Sequence, residues 1–102
     1  MAGIRRGTTP LNTFEVDVDL TGAEVIYITY KQNGQTVIEK TKDDCTITAT
    51  QIEVELTQEE TLAFILGKTV EVQIRARYSS GNAIASNIIK VTAEEILKEG
   101  VI

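Results

Sequence analysis

The sequence contains no histidine and no tryptophan, and only one cysteine, one proline and one methionine. The missing histidine removes the commonest general base, the commonest metal ligand and every Ser-His or Cys-His pair. A single cysteine makes no internal disulfide, which agrees with a reducing compartment, and cannot supply a zinc site. Acids outnumber bases 15 to 10, for a formal charge of −5. With so few cations to neutralise phosphates, duplex nucleic acid is a disfavoured partner. No apolar run reaches the ~20 residues of a membrane helix. Nor does an apolar stretch follow Arg5 and Arg6 to make a secretory leader. The expected location is the cytoplasm of the cell that makes the protein. Three tyrosines and two phenylalanines are a thin supply for stacking sugars or bases. No catalytic residue, metal or cofactor is expected.

What is present describes an ordinary folded domain. At 102 residues, 42% hydrophobic and 25% charged, the chain is neither disordered nor of low complexity. Its length predicts a single domain over 1–102, with an extended N-terminal arm at 1–11 and a short helical tail at 93–102. A domain this small buries only about two thirds of its unfolded surface, so spare apolar surface tends to end up at a subunit contact.

Period-two alternation dominates. In "TFEVDVDL", Phe14, Val16, Val18 and Leu20 point one way and Glu15, Asp17 and Asp19 the other, as in a half-buried strand. "EVIYITYK" begins a second strand, and Asn33-Gly34 is a strong type I′ hairpin signal. A two-residue loop there sets Tyr30 opposite Val37 and leaves Val25, Tyr27 and Ile38 on the other face, so the hairpin is apolar on both sides. Either an arm or a partner covers the outer side, or a bulge near Val37 and Ile38 re-aims the chain. "CTITATQIEVEL" predicts a further pair, with Cys45 opposite Leu56, Ile47 opposite Val54 and Ala49 opposite Ile52. "TQEE" is a capping box on Thr57 and Glu60, predicting a helix of about two turns through Ala63 and Ile65, stopped by Gly67. "TVEVQIRARY" turns through "SSGN" into "AIASNIIKV", with Glu71 opposite Lys90. "TAEEILKE" predicts a short amphipathic helix capped by Thr92. The expected fold is all-β: an immunoglobulin-like antiparallel sandwich of about seven strands, with a short helix between the fifth and sixth and another at the C-terminus.

Chemistry-bearing clusters are few. Glu15, Asp17 and Asp19 lie about 7 Å apart on one strand face, but no Asp-x-Asp-x-Asp-Gly loop surrounds them for calcium, and no cleft for a hydrolase pair is evident. A solvated face answered by Arg75 and Arg77 is the simpler account. Cys45 is expected to face the core as a small hydrophobe. "SSGNA" lacks the lysine and the strand–loop–helix setting of a phosphate loop.

Taken together, "RRGTTP", "ITYKQNGQTVIEK", "CTIT", "ELTQEETLAF", "KTVEVQIRARYSSGNAIASNII" and a short acidic tail resemble small proteins of the tail-morphogenesis modules of Firmicutes phages and prophages. More distantly, the fold and the "RxG-T" opening are similar to the N-terminal β-sandwich of the upper baseplate protein of lactococcal siphophages. The resemblance implies a virion or assembly protein whose partners are other tail or baseplate proteins, made in the host cytoplasm and carried in the virion tail. Since no receptor-binding part follows Ile102, it implies an adaptor rather than direct host recognition.

Candidate interaction residues are Arg5, Arg6, Val25, Tyr27, Ile38, Ile96, Leu97, Val101 and Ile102. Gly3, Gly7 and Pro10 keep the arm out of helix, and its two arginines offer forked donors for carboxylates. The arm is expected to dock on a neighbouring subunit or on the domain's own outer face, and self-association is one open outcome. The apolar tail residues pack on the same domain or on a partner. A small recognition module for a surface glycan or protein ligand is the alternative function, and a hydrolase using Glu15 and Asp17 a distant third.

Overall fold

The computed structural model describes residues 3–102, and the alternating stretches become strands of two sheets. Those strands are β1 (Ile4–Arg5), β2 (Leu11–Glu15), β3 (Ala23–Gln32), β4 (Gln35–Thr41), β5 (Cys45–Thr48), β6 (Gln51–Glu55), β7 (Thr69–Tyr78), β8 (Ala83–Ala85) and β9 (Ile89–Glu94). A 3-10 turn, Lys42–Asp44, links β4 to β5, and one short helix, α1 (Gln58–Leu62), precedes β7. The six-stranded sheet runs β1-β9-β7-β3-β4, with β8 also paired to β7. The three-stranded sheet runs β2-β6-β5. The fold is all-β.

One core joins the sheets. Ile26, Ile28 and Tyr30 of β3 and Val70, Val72 and Ile74 of β7 are buried with Phe14, Ile52 and Val54 of the smaller sheet. Tyr30 stands edge-on to Phe14 at 6.3 Å between ring centroids, and 6.1 Å from Phe64. Its hydroxyl donates to Asn12 Oδ1 at 2.8 Å, a buried polar tie between the sheets.

Asn33 and Gly34 take φ of 51° and 74°, the left-handed pair a type I′ turn requires. Gln32 pairs with Gln35, but a bulge between Tyr30 and Lys31 then brings Ile38, not Val37, opposite Tyr30. Opposed residues share a face, so the bulge turns Ile38 into the core at 5% exposure. The bulged alternative therefore holds, and Ile38 leaves the candidate surface.

The β5–β6 pair keeps its expected faces with a different register. Cys45 lies opposite Val54 and Ile47 opposite Ile52, so the turn is Ala49-Thr50 rather than Thr50-Gln51. Ala49 adopts φ 43°, where a β-carbon is unfavourable. Its carbonyl accepts from Leu20 N–H and that of Thr50 from Val16 N–H, both at 2.8 Å. These bonds hold the turn. They also draw 16–20 away from strand pairing, so β2 ends at Glu15 although Val16 and Leu20 stay buried.

The capping box is present: Thr57 Oγ1 accepts from Glu60 N–H, and Glu60 Oε1 accepts from Thr57 N–H. The helix ends at Leu62, earlier than expected, because side chains take over its backbone groups. Gln32 Oε1 accepts from Ile65 N–H at 2.7 Å, and Gln32 Nε2 donates to the carbonyls of Ile65 and Lys68. Gly67, at φ 76°, donates to Ala93 O rather than closing a longer helix.

The C-terminal helix does not form. Thr92 pairs with Thr69, and Ala93 and Glu94 pair in parallel with Ile4 and Arg5. A short isolated helix is marginal in water, whereas the extended path gives Ala93 bonds to Gly67 and Lys68 as well as to the arm.

Candidate interaction surface

The opening residues form a strand of the chain's own sheet. Ile4 is 1% exposed, and Arg6 N–H donates to Glu94 O at 3.1 Å. The Arg6 side chain, only 17% exposed, then gathers three segments through its guanidinium. Its Nε donates to Phe64 O at 2.9 Å and its Nη2 to Leu62 O at 3.2 Å. Its Nη1 pairs with Glu99 Oε1 at 3.0 Å. Leu62 O is at the end of α1, where backbone oxygens lack helical partners and carry partial negative charge, and Phe64 O lies just beyond it. Arg5 is more exposed; its Nη1 donates to Glu95 O at 2.6 Å, and its Nη2 lies 3.8 Å from Glu94 Oε1.

These contacts carry the tail. Ile96 is half-buried over Gly7, where a β-carbon would lie 2.7 Å from Ile96 Cδ1 and 3.4 Å from Leu62 Cδ2. Gly7 also has φ +75°, so glycine meets both a conformational and a steric need. At the far end, Ile102 N–H donates to Gln58 Oε1 at 2.9 Å, and Gln58 Nε2 donates to Ile102 O at 3.4 Å. Between the tethers, Leu97 and Ile102 are 98% and 88% exposed, and Val101 is also exposed. Arg5, Arg6 and Ile96 are thus internal ties, and Leu97, Val101 and Ile102 are what the tail displays.

A second uncovered region lies on the outer face of the six-stranded sheet. Tyr27 is exposed and Val25 half-buried; with Arg75, Arg77 and Ala83 they line an open cleft of about 360 Å³. Register places Tyr27 beside Arg75 and Val25 beside Arg77. Ala83 and Ala85 of β8, opposite Arg77 and Arg75, are too short to fill the space. Alternation identified the arginines as outward, but assigned them to the carboxylates of 15–19. Those carboxylates have other partners. Glu15 Oε2 accepts from Thr50 Oγ1 at 3.1 Å, Asp17 Oδ1 from Asn87 N–H at 3.3 Å and Asp19 Oδ1 from Thr21 N–H at 2.9 Å. The bonds from Thr21 hold the Asp19 carboxyl below the usual aspartate range. No group of three or more potential metal-ligating side chains occurs among the described residues.

Cys45 is half-buried against the core, its Sγ donating to Thr41 O at 3.3 Å. Burial, with the nearby Asp44 charge, pushes its thiol up to about 11, so at neutral pH it stays protonated and is a poor nucleophile. Glu60 has a structural use for each oxygen: Oε1 closes the capping box and Oε2 meets Lys40 Nζ at 2.7 Å. Burial pushes its carboxyl up, but the Lys40 and Thr57 bonds outweigh that and hold it below the usual value.

Residue-by-residue reading missed the buried polar residues Asn12, Gln32 and Ser86. The first two carried a usable signal. Asn12 continues the inward row of Phe14, and Gln32 that of Ile26, Ile28 and Tyr30, so each was a polar group at a core position requiring a partner. No family model, curated protein or solved structure matches the chain. No helix among the described residues is long and apolar enough to cross a membrane.

Proposed function

We propose that this chain is a non-catalytic structural or assembly protein that works through protein–protein contacts, of the kind encoded in the tail modules of Firmicutes phages and prophages. In this reading it is an adaptor at the tail or baseplate, made in the host cytoplasm. Its two facing sheets are an immunoglobulin-like sandwich, with α1 passing from the smaller sheet to the larger. The observation that carries the proposal is the tail, a strip fastened by Arg5, Arg6 and Gln58 that nevertheless exposes Leu97 and Ile102 almost fully. Burying such a side chain is worth roughly 1.5–3 kcal/mol. A fastened strip presents that gain to a partner without the full ordering cost of a free segment. The polar contacts around it serve the fold.

The test is to purify tail intermediates and finished particles from a host that encodes the chain and to detect it by mass spectrometry. The reading expects the chain in one or both fractions, and expects Leu97→Asp to lose incorporation while keeping the wild-type melting temperature. Absence from both fractions, in a host where the chain is produced, overturns it.

A further inference from the structure

The outer faces of the two sheets carry opposite charge. On the larger sheet the outward side chains include Arg5, Lys31, Arg75, Arg77 and Lys90 against Glu39, Glu71 and Glu94. Glu71 stands in register between Lys31 and Lys90, while Arg75 and Arg77 have no ion-pair or hydrogen-bond partner among the described residues. This face is therefore basic on a protein whose net charge is −5, and the unpaired guanidinia rim the cleft beside Tyr27. The smaller sheet is the reverse. Its outward residues are Leu11, Thr13 and Glu15 on β2, Gln51, Glu53 and Glu55 on β6, and Thr46 and Thr48 on β5, and its strands contain no lysine or arginine. Leu11 is 58% exposed. Glu53 and Glu55 have no ion-pair partner among the described residues.

We propose that copies of this chain associate head to tail, the three-stranded face of one docking on the six-stranded face of the next. The occupant of the cleft is thus a second copy. Arg75 and Arg77 are two residues apart on one strand, as are Glu53 and Glu55, so both pairs share a pitch of about 7 Å. Forked guanidinium–carboxylate contacts then form in register, and Leu11 supplies an apolar side chain of the kind that Val25 and Tyr27 accommodate. Stacking like on like sets arginine against arginine or glutamate against glutamate, which disfavours a two-fold dimer through either face. A contact between different faces builds rings when its rotation closes and open chains when it does not. The three-stranded face measures roughly 14 by 17 Å from strand spacing and rise, below the ~800 Å² per partner of a standard stable interface. The association is therefore weak, dependent on concentration and sensitive to salt, as suits a subunit whose copies are gathered on a template.

The inference rests on the assembly reading above and names its partner. Three proteins test it by sedimentation velocity: the wild type, Arg75→Glu/Arg77→Glu and Glu53→Arg/Glu55→Arg. In low salt the wild type sediments faster as concentration rises and returns to the monomer value in about 0.5 M salt, where the Debye length is only a few ångströms. Each double variant alone stays monomeric, because both its faces carry one sign, and an equimolar mixture regains association. Variants that self-associate like the wild type, or a mixture that forms no complex, overturn the proposal. Circular dichroism and melting establish that the variants are folded; should one fail, Arg75→Gln/Arg77→Gln replaces the first and Glu53→Gln/Glu55→Gln the second. Loss of self-association is then expected in the neutral variant, and its retention overturns the proposal. A wild type that stays monomeric in every condition yet enters particles sinks the head-to-tail contact and leaves the assembly reading standing. Self-association by a chain absent from particles does the reverse.

Discussion

Replacing Arg6 with alanine removes a side chain that ties the arm to the end of α1 and to the tail. Two acceptors, Leu62 O and Phe64 O, lose a charged donor, and Glu99 loses its partner. A buried acceptor left without its donor costs about 1–3 kcal/mol, and water reaches this site partly, so the two carbonyls together are worth about 2–4 kcal/mol. The Glu99 pair adds little, because the carboxylate is 61% exposed and surface ion pairs contribute about 0–1 kcal/mol. Against a typical total of about 5–15 kcal/mol, Arg6→Ala is a severe change. At roughly 4–8 °C per kcal/mol for a domain of this size, its melting temperature falls by about 8–32 °C. Arg6→Lys keeps the charge but loses the planar fork, and falls between Arg6→Ala and the wild type. Glu99→Gln shifts melting by no more than a few degrees. Calorimetry and urea denaturation on the four proteins check the order. If Arg6→Ala and Glu99→Gln cost the same small amount, the guanidinium is not a structural clamp and the arm is not docked as described.

Tyr30→Phe leaves Asn12 Oδ1 buried without its donor and costs about 1–3 kcal/mol by urea denaturation; Asn12→Leu added to it recovers part of the loss, and a cost below about 0.5 kcal/mol for the single change contradicts the cross-sheet tie. Gly7→Ala strains a φ of +75° and drives a methyl into Ile96, so it destabilises by about 1–3 kcal/mol and exposes residues 95–102 to protease; unchanged cleavage contradicts the packing of the tail. The Glu60 carboxyl lies below its usual value of 4.5. Its contribution to stability is therefore complete above that value and is lost as pH falls through the lower folded value. The stability gap between wild type and Glu60→Gln is accordingly widest near neutral pH and narrows below about pH 4.5, and a gap that is constant from pH 7 to 3 contradicts the Lys40 and Thr57 bonds.

Faces were easier to read than registers, and registers easier than the ends of elements. Alternation placed Val70, Val72, Ile74 and Ala76 inward and Arg75 and Arg77 outward, because a period of two survives any even shift in pairing. The shift at β5–β6 was such a case: moving Cys45 from Leu56 to Val54 changed the turn and left every face intact. Glu71 did meet Lys90, but by two compensating slips. Arg77 pairs with Ala83, one residue out of step with the pairing beyond it. Around Ser86 the chain then recovers a residue, with Ser86 Oγ accepting from Ile74 N–H at 3.1 Å in place of a backbone carbonyl. A local reading has no access to such a pair of errors. The C-terminal helix failed for a related reason. "TAEEILKE" has the local pattern, but β1, ninety residues away in the chain, offers Ala93 and Glu94 a strand partner. The opening stretch was legible as extended and as a docking element. Its partner was not, because two of the acceptors for Arg6 are backbone carbonyls, which a sequence does not mark.

The central structural claim is that copies of this chain associate weakly through their oppositely charged outer faces, and solution mass measured by light scattering tests it most directly. Samples from micromolar to millimolar concentration in low and high salt suffice. The account predicts a weight-average mass that rises above 11.2 kDa with concentration in low salt and is pulled back by added salt. A mass fixed at 11.2 kDa across the whole series would contradict it.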